Sequence, residues 1–313
     1  MISVASEATG GIPVLVLLGP TATGKTALAV EAALRVGGEI VSADSRAFFR
    51  GLDIVTATPT VKERRGIPHH RVDCVSLGDA YDAMAFRRDV ERLIPEIAAR
   101  DRVPLLVGGG TLYLGAVLRG IFEGPPKDSD YREAVAEEPV AALHNRLRQV
   151  DPAAAGVIHP HDRLRIVRAL EVYEATGRPI SRWQTEAAPL PYDFAVFGLK
   201  RERTDHRAAI EARAAKMLDD GLVDEIGCLR EAGLNESVQA YRTIGVPEVV
   251  AYLDGRLSEA RMLDAIVGQT WSLARRQTAW FRRDQHVTWL DVTARTIDDL
   301  ATEIVDRWRE RTG

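Results

Sequence analysis

Residues 19–26 contain the residue types of a phosphate-binding loop. Their sequence, GPTATGKT, matches G-x-x-x-x-G-K-[ST]; an apolar run precedes it, and apolar residues follow at helical spacing from Leu28 to Val36. Between a strand and a helix, such a loop directs backbone N–H groups at a phosphate, with the positive end of the helix behind them. Lys25 would supply a point charge to the terminal phosphate, and the Thr26 hydroxyl a ligand for Mg²⁺. The segment predicts a polyphosphate site, with a chance Gly-rich turn as the alternative.

Strand-like and helix-like segments alternate around this loop. We expect strands at 14–18, 39–42, 71–75, 103–107, 194–199 and 287–290, and helices at 25–36, 85–99, 205–218, 221–231, 258–283 and 297–308. This alternation predicts an α/β fold with a P-loop-type, doubly wound parallel sheet. The second strand leads to Asp44 and the fourth to the turn Gly108-Gly109-Gly110-Thr111, so both reach the carboxyl edge, where ligands bind. Residues 51–68 lack apolar periodicity and are expected to form a long loop.

A helical pattern without strands occupies residues 125–190. Its helices are interrupted at Pro139, Pro152, Pro160 and Gly177. We expect 125–190 to be an inserted helical lobe, and 12–124 with 191–313 to form the α/β core domain and its C-terminal helices. An apolar stripe on the longest helix of the lobe consists of Ile166, Leu170 and Tyr173. Arg165 and Arg168 lie on the opposite side of that helix and face solvent or a ligand.

The composition limits the class of protein. The 313 residues exceed one usual core, and 46% of them are hydrophobic, which suffices for a packed interior. No run approaches the ~20 apolar residues of a membrane span, and the N terminus lacks the regions of a signal peptide. We therefore expect a cytoplasmic, monomeric protein with no membrane contact and a disordered tail at 1–11. Cys74 and Cys228 indicate neither a disulfide framework nor a zinc site. With a net charge of −4, any RNA contact must be local.

Further motifs accompany the phosphate loop over about residues 14–290. In chain order they are Ser42-Ala43-Asp44-Ser45, Arg50-Gly51-Leu52-Asp53-Ile54, Ile67-Pro68-His69-His70, Leu106-Val107-Gly108-Gly109, Val150-Asp151-Pro152, Ile158-His159-Pro160, residues 163–172, Arg242-Thr243-Ile244-Gly245, and Arg275-Arg276-Gln277 with Trp280. With these motifs the chain resembles the tRNA dimethylallyltransferases, also called tRNA isopentenyltransferases, of the bacterial type without a C-terminal zinc finger. The combination is far more specific than the loop alone, which kinases and GTPases share.

The resemblance implies transfer of a dimethylallyl group from dimethylallyl diphosphate to the exocyclic N6 of the adenosine at position 37, beside the anticodon of tRNA, with Mg²⁺ as cofactor. The diphosphate would be bound by Gly19, Pro20, Thr21, Ala22, Thr23, Gly24, Lys25, Thr26 and Arg132. Asp44 would take the proton from the weakly nucleophilic amine, and Lys25 would stabilise the charge on the leaving diphosphate. A turn or cap role is the alternative for Asp44. Thr111 would offer the hydroxyl that relatives carry in the active site.

The same resemblance implies that the lobe and a set of further residues contact the anticodon stem-loop of tRNA. These residues are Asp44, Ser45, Arg46, Ala47, Gly110, Arg165, Arg168, Arg242, Arg275, Arg276, Gln277, Trp280 and Arg282. On the helix expected at 258–283, arginines seven apart share one face beside Trp280. Such a basic face with an aromatic ring fits a phosphate track with base stacking. A merely solvated basic face is the alternative.

The chain departs from the family pattern at four positions. Val55 and Thr58 stand where relatives commonly have glycine and lysine, and Ala47 replaces a polar residue. Gly110 occupies the position of the active-site threonine, and Thr111 follows one residue later. These departures concern substrate contacts and leave the reaction class unchanged.

Three other functions fit the phosphate loop: a small-molecule P-loop kinase, an enzyme that prenylates free adenine nucleotides, and a nucleotide-gated RNA-binding protein without catalysis. Turnover of dimethylallyl diphosphate with tRNA or AMP separates them. A metal site built from His69, His70, His159 or His161 is not indicated, because no pair of them has the i, i+4 spacing of helical ligands. We interpret these histidines as structural.

Overall fold

A computed structural model describes residues 11–312, which contain a six-stranded parallel sheet. The strands are β1 (Pro13–Leu18), β2 (Gly38–Ser42), β3 (His69–His70), β4 (Val103–Gly108), β5 (Asp193–Lys200) and β6 (Thr288–Asp291). They lie in the order β3-β2-β4-β1-β5-β6, and every pair is parallel. The prediction of a doubly wound parallel sheet is confirmed. Apart from Gly11, the tail expected at 1–11 lies outside the described residues.

Fifteen α-helices connect or follow these strands within the described part of the chain. They are α1 (Lys25–Val36), α2 (Asp53–Thr56), α3 (Val61–Arg64), α4 (Ala83–Ala98), α5 (Thr111–Leu118), α6 (Ser129–Ala134), α7 (Val140–Val150), α8 (Pro152–Val157), α9 (Arg163–Thr176), α10 (Ile180–Thr185), α11 (Arg203–Asp219), α12 (Leu222–Glu231), α13 (Val246–Leu253), α14 (Glu259–Phe281) and α15 (Ile297–Thr312). A 3-10 helix, Gln239–Arg242, precedes α13. The helices expected outside the lobe are all present, with ends that differ by a few residues.

The central strand β1 sets the position of the phosphate loop. Leu15 lies opposite Leu105 of β4 and Ala195 of β5. Residues 14–18 are at most 1% exposed, as expected for a strand that is covered on both faces. Apolar side chains of α1 and α15 pack in the same core as β1. This packing fixes the beginning of α1, and the loop before it, at the carboxyl end of β1.

The third strand is not where the sequence predicted it. A strand was expected at 71–75, but β3 consists only of His69–His70 and pairs with β2. The prediction is wrong because Arg71 and Asp73 have φ angles of 60° and 51°, in the left-handed region, which an extended strand cannot contain. Sequence alternation alone does not reveal such a turn.

The long loop expected at 51–68 contains two helices of four residues each, α2 and α3. The Glu225 carboxylate accepts the N–H groups of residues 53–55 at 2.6–3.0 Å, so it satisfies donors that have no partner within α2. Thr60 and Glu63 form a capping box at the beginning of α3. Apolar periodicity could not predict these helices, because each is a single turn that depends on its caps.

The described residues divide into two compact units. The first contains residues up to 114 and from 191 onward, and the second is Gly115–Leu190. The second unit thus begins within α5, earlier than the expected 125, and ends at the expected residue. The breaks at Pro139 and Gly177 are confirmed, since α7 begins after the first and α9 ends before the second. Among the described residues, no helix has the length and apolar character that a membrane crossing requires.

One acidic side chain, Glu171, lies in the interior of the second unit, where it is 1% exposed. It accepts hydrogen bonds from Arg132 Nε at 2.6 Å, from Arg168 Nη1 at 2.5 Å and from the backbone N–H of Asp128 at 2.9 Å. Burial alone would raise the pKa of Glu171, but these hydrogen bonds outweigh burial and lower it from 4.5 to about 2. The charged carboxylate therefore ties α6 and α9 together.

We expect Glu171→Ala to lower the free energy of unfolding by about 3 kcal/mol, because it leaves two guanidinium groups without their carboxylate. Both arginines keep some access to water, which places the loss at the lower end of the range for buried pairs. The carboxylate of the wild type has a lower pKa in the folded than in the unfolded state, so its contribution is complete above about pH 4.5 and is lost as the pH falls toward 2.

Denaturant unfolding of the wild type and the variant at pH 7 and pH 3 measures both effects. Glu186→Ala is the control, since Glu186 forms an exposed, solvent-screened pair with Arg178 and its loss should lower the free energy of unfolding much less. Equal losses for the two variants at pH 7 would contradict the role of Glu171.

Candidate active site

The phosphate loop, residues 19–26, turns between β1 and α1 at the carboxyl edge of the sheet. Gly24 is the N-cap of α1 and has a φ of 82°, a conformation that favours glycine. Because α1 begins directly after it, the unpaired N–H groups and the positive end of this helix lie at the loop. The Thr23 hydroxyl donates to the Pro20 carbonyl at 2.8 Å and stabilises the turn. This backbone is suited to binding an anion.

Lys25 is the cation of the loop. Its Nζ donates to the Pro20 carbonyl at 2.6 Å. Although part of the side chain is accessible to solvent, desolvation lowers the pKa of Lys25 from 10.5 to about 7; the charge of Asp44 opposes this shift and that of Arg213 adds to it. Lys25 therefore titrates near neutral pH before an anion binds. An anion at the loop favours the charged form.

Thr21 is hydrogen bonded at each of its polar groups. Its N–H donates to Gln277 Oε1 at 2.9 Å, its carbonyl accepts from His206 Nε2 at 2.8 Å, and its hydroxyl accepts from Arg213 Nη1 at 2.8 Å. Because a carbonyl can only accept, the proton of His206 is on Nε2. Burial lowers the pKa of His206 despite the opposing effect of the bond to Thr21, so the ring is neutral at pH 7.

Arg213 is a site residue that the sequence analysis missed. Besides Thr21, it donates to the Thr56 carbonyl at 3.1 Å, and desolvation lowers its pKa against the effect of Asp44. Arg213 and His206 lie seven residues apart on α11, next to the buried positions Ile210 and Met217 of the same helix. Two polar residues along an apolar stripe were the available signal.

Asp44 lies directly beyond β2, next to the phosphate loop. Its Oδ1 accepts the backbone N–H of Arg46 at 2.9 Å, which is the turn role considered as an alternative. No described group donates to the other carboxylate oxygen. The negative charge of Asp44 raises the pKa of both Lys25 and Arg213, so the three charges interact. Asp44 thus stabilises its turn and also faces the cations of the loop.

Lys25 and Asp44 line one pocket, which has about 530 Å³ of empty space when the open solvent at its mouth is included. Lys25, Thr26 and Asp44 form its polar part, and Ile40 and Val107 contribute an apolar wall. A polar end beside an apolar wall suits a ligand that joins an anionic group to a small hydrocarbon group.

Two of the four positions at which the chain departs from the family pattern line this pocket. Ala47 extends its apolar wall, and Thr58 lies nearby on the lining. The hydroxyls of Thr56 and Thr58 are 2.8 Å apart and hydrogen bonded. Val55 is buried, and a Cβ at Gly245 would lie 2.6 Å from its Cγ2, so this valine fills space against Gly245. At Thr56 and Thr58 the pocket wall is therefore neutral and internally hydrogen bonded.

His69 corrects the interpretation that all four of the singled-out histidines are structural. His70 is hydrogen bonded to Glu39 at 2.7 Å, as a structural histidine should be. His69 instead lines the pocket, with Nδ1 at 2.9 Å from the Ile67 carbonyl and a buried Nε2 that has no partner among the described residues. Among those residues, no three His, Cys, Asp or Glu side chains are arranged to hold a metal ion.

Thr111 does not replace the active-site hydroxyl that is missing at Gly110 in this conformation. The Gly110 N–H donates to the Ala43 carbonyl at 3.0 Å, and a Cβ at this position would lie 2.4 Å from the same oxygen. No side chain fits at Gly110 without movement. Thr111 is the first residue of α5, and no described group is hydrogen bonded to its hydroxyl. The structure does not bring Thr111 into the pocket, and its catalytic role stays a prediction.

The residues expected to bind RNA in the first unit occupy different environments. Arg275, Arg276 and Arg282 are exposed and form no ion pair with any described residue. Arg282 is the C-cap of α14, so the basic face continues past the end of the helix. Gln277 is only 8% exposed and is hydrogen bonded to the phosphate loop, and its contact with RNA stays a prediction. Trp280 lies edge-to-face against Phe281.

The remaining members of that set lie near β2 or on the 3-10 helix. Arg46 donates to the Gln239 carbonyl at 3.0 Å, and desolvation lowers its pKa. Ser45 is partly exposed and Arg242 is exposed.

The arginines singled out in the second unit are mostly engaged within it. Arg168 donates to Glu171 and to the Pro125 carbonyl. Arg132 pairs with Glu171 through Nε and Nη2, so its guanidinium has a structural role in the second unit. The residues that line the pocket all belong to the first unit. Arg165 is exposed and lies 3.4 Å from Asp162. Diphosphate binding by Arg132 stays a prediction.

Comparisons with known proteins agree with this geometry. The family model described as IPP transferase matches residues 47–284. The tRNA dimethylallyltransferase of Symbiobacterium thermophilum is 42% identical over 315 residues, which cover 96% of this chain and 98% of the relative. That of Geobacter sulfurreducens is 40% identical over 294 residues, with coverage of 92% and 94%. This chain belongs to the IPP transferase family. The predicted resemblance is confirmed.

Solved structures of similar proteins have the same fold. The full-length tRNA isopentenylpyrophosphate transferase from Bacillus halodurans superposes with a TM-score of 0.72 at 35% identity, covering 96% of this chain and 98% of that protein. A eukaryotic dimethylallyltransferase described as acting on tRNA superposes with a TM-score of 0.79 at 25% identity, covering 90% of this chain and 74% of that one. The P-loop-type α/β fold is therefore shared across the family.

We expect the affinity for inorganic diphosphate to fall as the pH rises above about 7. The pKa of Lys25 is about 7 in the free protein and should rise when the anion binds, so binding above that pH must take up a proton. Calorimetry at pH 7.5 in two buffers with different ionisation enthalpies measures this uptake. The arginine of the Lys25→Arg variant stays charged at pH 7.5, so this variant should take up fewer protons when diphosphate binds. Equal proton uptake by both proteins would exclude Lys25 as the titrating group.

Proposed function

We propose that this protein transfers a dimethylallyl group from dimethylallyl diphosphate to the exocyclic N6 of the adenosine at position 37 of tRNA, beside the anticodon. The supporting observation is the pocket that contains both Lys25 and Asp44 beside an apolar wall. The cation suits the diphosphate, the carboxylate suits the proton of the amine, and the wall suits the five-carbon group. The relatives named tRNA dimethylallyltransferase make this the first choice among transferases.

In the proposed reaction, the N6 nitrogen forms a bond to the allylic carbon while the bond from that carbon to the diphosphate oxygen breaks. The electron pair leaves with the diphosphate, where the loop N–H groups, Lys25 and Arg213 stabilise the developing charge. The carboxylate of Asp44 accepts the amine proton as the nitrogen attacks. The diphosphate is already charged when it binds and gains further negative charge as the bond breaks, and the interactions with this added charge are those that lower the barrier.

The donors at the loop fit Mg²⁺ as the divalent cofactor. Mg²⁺ takes oxygen ligands, keeps several waters and commonly binds together with substrate phosphates. The Thr26 hydroxyl is in the first turn of α1 and lines the pocket, so we assign it as the protein ligand. When bound, the ion adds positive charge to the leaving diphosphate.

The exposed arginines of the first unit favour tRNA over a free nucleotide as the acceptor. Arg275, Arg276 and Arg282 have no acidic partner among the described residues, and a polyanion would supply one. An enzyme that prenylates AMP has no use for such a surface. A small-molecule kinase has no use for it either, and would not need the apolar wall.

Turnover with two acceptors tests the proposal. The protein is incubated with labelled dimethylallyl diphosphate, Mg²⁺ and either unmodified tRNA with adenosine at position 37 or AMP. We expect transfer to this tRNA, and none to AMP or to the same tRNA with guanosine at position 37. Equal transfer to AMP would favour the free-nucleotide enzyme. No prenyl transfer to either acceptor, together with transfer of phosphate from ATP to a small molecule, would favour a kinase.

Asp44→Asn tests the proton acceptor. We expect kcat to fall by about 10²-fold or more with little change in KM, because the amide keeps the shape but cannot accept the proton in the transition state. Steady-state kinetics with saturating tRNA measures both constants, and the melting temperature shows whether the turn at Arg46 is intact. A kcat near that of the wild type would remove Asp44 as the base.

Replacement of Arg275, Arg276 and Arg282 together by Gln tests the RNA surface. We expect weaker tRNA binding and a smaller salt dependence, since each lost phosphate contact removes about 0.7–0.9 from the slope of log K against log salt. The control replaces the exposed residues Arg102, Arg261 and Arg309 by Gln, which changes the net charge equally. Equal slopes for the two triple variants would mean that the face at the end of α14 does not contact RNA.

A further inference from the structure

Gln277 connects two parts of the active site through its single amide group. Its Oε1 accepts the Thr21 N–H at 2.9 Å, and its Nε2 donates to the Gly109 carbonyl at 2.8 Å. Thr21 belongs to the phosphate loop after β1, and Gly109 follows β4, the neighbouring strand. One side chain therefore sets the separation of the loop from the adjacent strand end.

The two bonds also fix the orientation of the amide. A backbone N–H can only donate and a carbonyl can only accept, so oxygen must face Thr21 and nitrogen must face Gly109. The side chain is 8% exposed, and an unsatisfied amide at this depth would be costly. Both halves of the amide are thus needed where they are, and neither is available to an RNA.

The absence of a side chain at position 109 makes room for this amide. A Cβ on Gly109 would lie 2.7 Å from Gln277 Nε2 and 3.1 Å from the Gly19 carbonyl. Real Cβ atoms do not approach a neighbouring nitrogen so closely, and the contact would displace the amide from its acceptor. Gly109 and Gln277 therefore depend on each other, although 168 positions separate them in sequence.

The N–H groups of the loop would donate hydrogen bonds to a bound anion. Anion affinity therefore depends on the direction in which these groups point. Thr21 is otherwise held from α11, through its carbonyl by His206 and through its hydroxyl by Arg213. Gln277 supplies the only hydrogen bond to this residue from α14 among the described residues. Without it, the peptide group before Thr21 can rotate, and the loop must be ordered by the ligand at a cost in affinity.

Resting on the proposed function, we propose that Gln277 is a positioning residue that holds the phosphate loop in the conformation that receives diphosphate, and that Gly109 is glycine to admit it. The substrate class addressed is the diphosphate, not the tRNA. Arg276, which precedes Gln277 on α14, is exposed to solvent. The two neighbours therefore have separate roles, because Arg276 faces solvent and Gln277 faces the phosphate loop.

A double-mutant cycle tests this pairing. Gln277→Ala and Gly109→Ala should each weaken binding of inorganic diphosphate by about tenfold, the effect of losing one or two hydrogen bonds. In the double variant, no amide remains for the new methyl group to displace. Only the contact of this methyl group with the Gly19 carbonyl at 3.1 Å remains, so we expect the loss of affinity in the double variant to be clearly smaller than the two single losses combined. Calorimetry gives the diphosphate Kd, and a gel-shift titration gives the tRNA Kd, which should stay within twofold throughout.

Two further variants separate positioning from general stability. Gln277→Met has nearly the same length without the amide, folds if the interior tolerates an apolar chain, and should reproduce the weaker diphosphate binding. Thr278→Val removes a hydroxyl that is hydrogen bonded only within α14, to the Ala274 carbonyl, and should leave the diphosphate Kd unchanged. Melting temperatures of all variants show whether loss of affinity follows loss of stability.

Specific results would overturn the inference. A diphosphate Kd within twofold of the wild type in both Gln277 variants would show that the amide does not position the loop, and additive losses in the double variant would show that Gly109 and Gln277 are independent. Loss of tRNA affinity with normal diphosphate binding would return Gln277 to an RNA surface. Because the assay uses binding, a failure of prenyl transfer in the wild type would reject the proposed function and leave this test intact.

Discussion

The parallel pairing of β1 with β4 and β5 is the constraint on which the site depends. It brings the ends of three strands together, so that the phosphate loop lies between the turn after β4 and the backbone of Leu199 in β5. The space there is small: a Cβ on Gly19 would lie 2.9 Å from the Leu199 carbonyl. The glycines at these ends serve close approach of one strand end to another, and the loop shape follows from the sheet.

Three interacting charges at the phosphate loop, two of them on desolvated cations, form the second constraint. Lys25 and Arg213 repel each other and both are attracted by Asp44. Desolvation is nevertheless the largest influence on each cation and lowers both pKa values. The free protein thus keeps cations in a place that disfavours them, and an anionic ligand removes that penalty when it binds. The two cations thus favour diphosphate binding because Asp44 alone does not compensate for their desolvation.

The sequence predicted the features that depend on local pattern. The apolar run at 14–18 and the loop after it predicted both the central strand and the phosphate site, and the alternation of elements predicted the parallel sheet. Long-range pairing was beyond its reach. The positions of Arg213 and His206 beside Thr21 become visible only when the fold brings α11 to the loop, and the resemblance that placed Gln277 among the RNA contacts does not reveal its bonds to Thr21 and Gly109. The wrong strand at 71–75 had suitable residues but two left-handed φ angles, which no periodicity encodes.

The partners of Thr21 also have a consequence for synthesis on the ribosome. His206, Arg213 and Gln277 follow Thr21 by 185, 192 and 256 positions. At about 5–20 residues per second, the last of them is added roughly 13 to 50 seconds after Thr21. β1 lacks its neighbour β5 until residue 200 has been added, and the loop lacks the amide that fixes its backbone until Gln277 has been added. The nascent chain therefore spends most of its synthesis with an incomplete sheet, and this apolar strand must be shielded during that interval.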